Sequence, residues 1–263
     1  MHTDTLPHGL TIFPIPAFTD NYIWCVHDQS HAIVVDPGDA QPVLDYLKAK
    51  GLALSAVLIT HHHRDHTGGI AKLVSAHPEL TVIGPRGGHI RGLTKSVSQG
   101  DTVALPVLNM SLQVMEVPGH TLDHIAFLGH GIIFCGDTLF SAGCGRLFEG
   151  SPEQMHHSLN KIKRLPDSTK IYCTHEYTQA NVAFALTVEP NNLALQQYSK
   201  WVDEMRTANT PTLPSTLKEQ KEINPFLRAH EPRIKTAAEA YCKNTLVDDV
   251  AVFAAVRRWK DEF

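Results

Sequence analysis

Residues 56–69 read Ala-Val-Leu-Ile-Thr-His-His-His-Arg-Asp-His-Thr-Gly-Gly, and this run limits the folds open to the chain more than any other stretch. Four apolar residues suited to a strand end in a loop carrying four imidazoles and a carboxylate. A strand end followed by a loop is where α/β sheets build sites. In an extended stretch residues two apart project to the same side, so His61 and His63 can converge while His62 points away. The following turn brings Asp65 and His66 round to a second position. Gly68 and Gly69 let the backbone turn tightly into a helix suggested by Ile70, Leu73 and Val74.

Three later segments repeat one design, an apolar strand ending in a single donor held in a turn: Val117-Pro-Gly-His120-Thr, Phe134-Cys-Gly-Asp137-Thr and Tyr172-Cys-Thr-His175-Glu. With the first cluster they supply five imidazoles and two carboxylates, an inventory suited to two borderline divalent ions sharing a bridging carboxylate. Of the chain's 17 histidines that leaves twelve, among them His62, His124, His156 and His157, read as surface or supporting residues.

Around these segments the first two thirds alternate short β-rich runs with turn signals, at residues 12–13, 31–36, 56–60, 81–84, 112–117, 125–128, 132–135 and 170–173. Helical patterns intervene at 41–50, with Val43, Leu44 and Leu47 on one stripe, and at 151–164, which opens on a Ser-Pro-Glu start. After about Glu176 the segments 179–186, 192–206, 233–243 and 247–260 are alanine- and leucine-rich at helical spacing. The proline-rich stretch 210–215 between them is a loop, with Ser215 or Thr216 placed to cap the next segment. The class is α/β (α+β), with a helical C-terminal extension.

The motif His61-x-His63-x-Asp65-His66, followed in order by His120, Asp137 and His175, resembles the metallo-β-lactamase superfamily. Over essentially its whole length the chain resembles that superfamily's glyoxalase II (hydroxyacylglutathione hydrolase) family. The matching segments are Gly143-Cys-Gly-Arg146, Thr174-His-Glu-Tyr177-Thr, Val188-Glu-Pro190, Asn224-Pro-Phe226 and Arg257-Arg-Trp-Lys260-Asp-Glu-Phe263. The resemblance implies a four-layered αββα sandwich, with a catalytic domain at 1–175 and a helical substrate-binding domain at 176–263. It implies two divalent ions, zinc first with iron or manganese also compatible. One would take His61, His63 and His120, the other Asp65, His66 and His175, with Asp137 bridging. Asp65 and Asp137 then stand as catalytic carboxylates beside a metal-activated hydroxide.

The implied reaction is hydrolysis of S-D-lactoylglutathione to D-lactate and glutathione, a step of methylglyoxal detoxification. A thiol with a pKa near ~8.5 leaves readily as thiolate, so no strong general acid is required. Glutathione's carboxylates call for cations and polar groups, for which the resemblance offers Arg146, Tyr177, Asn181, Arg257 and Lys260. The chain departs from better-known members at Arg146, often Lys, and at Phe148, often Tyr.

Two alternatives share these residues: a mononuclear-iron glutathione persulfide dioxygenase on the same scaffold, and a non-catalytic metal-binding protein. A net charge of -4 speaks against a nuclease or any other nucleic-acid partner. Five scattered cysteines without a C-x-x-C pair suit reduced thiols in the cytoplasm. The first twenty residues, which include His2, Asp4, His8 and Asp20, hold no apolar leader, and no later run is long enough to span a membrane. A small-molecule substrate is expected, with no obligate protein partner implied.

Overall fold

The computed structural model describes residues 4–6, 9–87 and 89–263. His2 and His8 lie outside them. The chain divides into two compact units, one of residues 1–116 with 123–136 and the other of 117–122 with 137–263.

The first unit contains β1 (Asp4–Thr5), β2 (Thr11–Ala17), β3 (Asn21–His27), β4 (His31–Val35), α1 (Ala40–Lys50), β5 (Ala53–Leu58), α2 (Arg64–Thr67), α3 (Ile70–Ala76), β6 (Thr81–Pro85), β7 (Lys95–Val97), β8 (Thr102–Leu105), β9 (Met110–Glu116), β10 (Ile125–Gly129) and β11 (Ile132–Gly136). Strands β1 to β7 form one sheet in sequence order, antiparallel through β4 and parallel from β4 to β7. The central parallel strands read as continuous apolar runs, as expected where both faces are covered. Val57, Leu58 and Ile59 are fully buried, each burial stabilising the fold by roughly 1.5–3 kcal/mol. On one face, Val43 and Leu47 of α1 and Ile70 and Leu73 of α3 join the core that includes Val34, Val57, Ile59 and Val82. Asp39 starts α1 by accepting the Gln41 backbone N–H at 2.9 Å, and Gly51 ends it in the left-handed conformation.

Strands β8, β9, β10 and β11 pair antiparallel in that order within the second large sheet. Along β9 the buried residues Met110, Leu112 and Val114 alternate with exposed ones, the period-two pattern of a strand with one covered face.

The second unit contains β12 (Leu139–Phe140), β13 (Gly143–Cys144), α4 (Pro152–Lys163), β14 (Lys170–Cys173), α5 (Thr178–Val188), α6 (Leu193–Thr207), β15 (Ser215–Thr216), α7 (Leu217–Ile223), α8 (Pro232–Cys242) and α9 (Asp249–Glu262). The mixed α/β class with a helical C-terminal region is as the sequence suggests. Helix α4 opens on a reciprocal Ser151–Gln154 capping box with Pro152 in its first turn. Thr216 caps α7 in the same way with Glu219. Helices α5 and α6 enclose a small core of Val182, Ala185, Leu195 and Val202 with Ala142 and Ile223. Phe253 of α9 meets Phe226, which stacks on Phe184 of α5. Among the described residues no helix is long and apolar enough to cross a membrane.

His156 of α4 lies against the Phe253 ring of α9 at 5.7 Å, near Asn160 of its own helix. Burial pushes its pKa below the ordinary 6.5; Asp249 and Asp248 oppose the shift, and Lys163 and His157 add to it. The unfolded chain therefore takes up this proton at higher pH than the folded one. The stability contributed by a neutral His156 is whole above about pH 6.5 and is lost as pH falls through the lowered folded value. Thermal melts below pH 6.5 should show a steeper decline in Tm for the wild type than for His156→Gln; parallel declines would refute this.

Candidate functional site

In the first unit the histidine-rich segment leaves the C-terminal end of β5, and the turn expected from sequence is the single helical turn α2. Backbone bonds from His66 N and Thr67 N to His63 O fix that turn. The rings of His61 and His63 lie 4.7 Å apart and those of His61 and His66 4.0 Å apart. His62 turns elsewhere, its Nδ1 2.9 Å from Asp123 Oδ1.

Behind two of these rings is Asp36, at the end of β4 and only 2% exposed, which faces His66 directly and reaches His61 through Thr60. Its carboxylate accepts the Thr60 backbone N–H and the Thr60 hydroxyl, both at 2.7 Å, and its Oδ2 lies 3.1 Å from His66 Nδ1. Because the Thr60 hydroxyl gives its proton to Asp36, its oxygen accepts from His61 Nδ1–H at 3.1 Å. The His61 Nε2 lone pair is then the one left for a ligand, and a carboxylate facing the other ring nitrogen of a histidine is the usual support of metal-binding imidazoles. Asp65 is held by Asn21, whose Nδ2 donates to Oδ2 at 3.2 Å. Gly38 makes this assembly possible: a Cβ there would lie 1.8 Å from the Asp65 carbonyl oxygen.

In the second unit His120 and His175 each place Nε2 against Asp137 Oδ2, at 3.4 and 3.3 Å, and all three residues are buried. His120 Nδ1 donates to the Arg146 carbonyl at 2.7 Å, so in the neutral ring the nitrogen facing Asp137 is the lone-pair side. A lone pair facing a carboxylate oxygen asks for a cation between them, and imidazole nitrogen with carboxylate oxygen is a donor set suited to divalent zinc, iron or manganese. The residues fit a metal ion by this test. Gly145 keeps the arrangement tight, since a Cβ there would lie 2.0 Å from the Asp137 carbonyl oxygen and 3.1 Å from His120 Nδ1. All seven sequence candidates fall within the groups of His and Asp donors able to hold a metal ion.

Two aromatic rings flank the second group. Tyr177 stacks on His175 at 4.6 Å and is partly exposed, and Phe148 meets His120 edge-on at 5.3 Å and is exposed. The remaining polar candidates are engaged within the protein to different degrees. Asn181 donates to the Ser141 carbonyl at 3.1 Å. Lys260 donates to the Ala180 carbonyl at 3.3 Å and lies over Phe184 and Phe263; burial, then the neighbouring Arg257, lowers its pKa. Arg257 is buried, donating to the Cys144 carbonyl at 2.8 Å and to Asp261 at 3.0 Å. Arg146 shares Asp261 through Nε at 3.2 Å but keeps its side chain 58% exposed.

Sequence reasoning does not single out Asp36, Asn21, Thr60 or Asp261. Asp36 carried a signal, for it closes the apolar run His31-Ala-Ile-Val-Val-Asp36 just as Asp137 closes its own strand.

Comparison with known proteins extends these observations along the chain. A family profile described as "Metallo-beta-lactamase superfamily" matches residues 18–175, and one described as "Hydroxyacylglutathione hydrolase C-terminus" matches residues 176–263. The chain is 52% identical to a hydroxyacylglutathione hydrolase of Photobacterium profundum, covering 97% of this chain and 100% of the relative. It is 54% identical to that of Aliivibrio salmonicida, again over 97% and 100%. Among solved structures it resembles ETHE1 from Myxococcus xanthus in fold, with a TM-score of 0.62 at 23% identity over 99% of this chain and 98% of that one.

Proposed function

The chain belongs to the hydroxyacylglutathione hydrolase family of the metallo-β-lactamase superfamily, and from this premise we propose that it hydrolyses S-D-lactoylglutathione to D-lactate and glutathione, in methylglyoxal detoxification. The observation that carries the reading is its identity of about half to relatives of that name from end to end, C-terminal region included. The division of labour proposed is a catalytic part at 1–175 and a substrate-binding part at 176–263, supported by the two family matches meeting at that boundary.

The chain uses divalent metal. The ligands proposed are His61, His63 and His120 for one ion and Asp65, His66 and His175 for a second, with Asp137 between them and zinc the first candidate. When bound, such ions supply Lewis acidity toward a carbonyl oxygen and a water whose pKa lies near neutrality.

The protein's own part is to hold lone pairs and charges still. Thr60 and the Arg146 carbonyl take the Nδ1 protons of His61 and His120, which keeps Nε2 of both rings available. Asp36 and Asn21 restrain His66 and Asp65. The leaving thiolate needs little help, which agrees with a site built from donors and cations rather than from a serine or cysteine nucleophile. Burial pushes the Cys144 thiol up to about 11 and Cys25 up to about 12, so neither is poised to attack. Substrate carboxylates are assigned to Arg146 and Lys260, with Tyr177 and Asn181 as polar partners; Arg257, the third cation the resemblance offers, is buried on the Cys144 carbonyl and Asp261 and is assigned to supporting them, while Phe148 offers a ring face and no hydroxyl. Cytoplasmic placement is part of the proposal, supported by the absence of a disulfide among the five cysteines.

The test measures the loss of S-D-lactoylglutathione absorbance by purified protein before chelation, after it and on return of zinc, iron or manganese, with metal counted per chain. Activity should vanish on chelation and return with metal. One iron per chain with oxygen consumption, or metal binding without turnover, would sink the proposal.

A further inference from the structure

Asp261 lies in the last turn of α9, where the helix dipole disfavours a carboxylate. Yet a single oxygen, Oδ1, receives both Arg146 Nε at 3.2 Å and Arg257 Nη2 at 3.0 Å. The two guanidinium groups are not alike. Arg257 is sealed in, its other donor on the Cys144 carbonyl and its face over Phe226 at 5.1 Å, so it ties α9 to β13. Arg146 is more than half exposed, and among the described residues only its Nε is engaged. A guanidinium anchored through Nε has its two terminal nitrogens turned away from the anchor, in the geometry that grips a carboxylate with two parallel bonds.

We propose that Asp261 is a positioning residue, which holds the Arg146 guanidinium ready for a carboxylate of the thioester substrate. This rests on the function proposed above. Without Asp261 the long Arg146 side chain is released to many rotamers, two like charges face each other, and the order now built into the free protein must be supplied on binding.

Charge alone argues for the opposite outcome, which makes the test sharp. Asp261→Asn adds one net positive charge beside an anion site, and a purely electrostatic role would lower KM. Positioning raises it. The expected result for Asp261→Asn is a KM for S-D-lactoylglutathione about three- to tenfold higher with kcat held, and calorimetric binding of glutathione weakened by a similar factor. Asp261→Glu should recover most of the loss. In an Arg146→Ala background the further change Asp261→Asn should leave KM where Arg146→Ala put it.

Thermal melts report whether each variant is folded, and the Glu variant carries the test should Asn loosen α9. A KM that falls or stays level in Asp261→Asn, or rises by the same factor without Arg146, overturns the role of Asp261 alone. A wild-type protein that turns over no thioester overturns the proposed function and this role with it.

Discussion

Asp137→Asn is expected to lower kcat/KM by about a thousandfold and to reduce the metal retained per chain, with the fold intact. The substitution keeps the side chain's size and shape but removes the charge. It also replaces one oxygen by an amide NH₂, which has no lone pair to offer. His120 and His175, which now share Oδ2 at 3.4 and 3.3 Å, would then face a neutral amide with a single oxygen to offer. A plain alternative exists in which Asp137 only pairs with protonated imidazoles. In that case the Asn variant would melt earlier at low pH while holding its metal and most of its activity. Metal analysis after gel filtration, beside steady-state kinetics, separates the two, and full metal content with near-native turnover would end the bridging assignment.

Asp36→Asn should weaken metal binding by about 10- to 100-fold although no metal touches it. The backbone does not confuse this test: Asp36 sits at φ 53, and asparagine is the side chain that tolerates this region about as well as aspartate. What changes is the hydrogen bonding. The carboxylate now takes two protons from Thr60 and faces His66 Nδ1. An amide must turn its NH₂ toward one of those donors, leaving a buried donor opposed by another. Competition with a chromophoric chelator measures the loss without recourse to activity, and unchanged affinity would show that the Thr60 and His66 contacts serve folding alone.

Most strands were legible because each is an apolar run closed by a turn signal. β3 was not, although Tyr-Ile-Trp-Cys-Val at its centre is apolar throughout. Its turn from β2 carries no glycine, and Phe18 takes the left-handed conformation instead, so the hairpin has no visible corner. Helix α7 is seven residues long and largely charged, too short for a periodicity to register; only its cap at Thr216 could be read. Four of the seven metal-ligand candidates stand out as one cluster after an apolar strand, and His120, Asp137 and His175 because a lone donor at the end of such a strand repeats. Asp36 obeys the same pattern, but its partners Thr60 and His66 belong to a different strand end, so its own run does not mark it as part of the site. Asp261 shows locally only its spacing of four from Arg257, and nothing near it points to Arg146, which lies 115 residues away.

The contact of Gly38 with the Asp65 carbonyl is main chain resting on main chain. No repacking of nearby side chains can make room there for even a methyl group. The loop at residues 36–39 and the histidine-rich turn are therefore a matched pair, heritable and transplantable only together. Grafting residues 60–69 onto a foreign scaffold without their opposite number would carry over the donors and leave behind the surface that aims them.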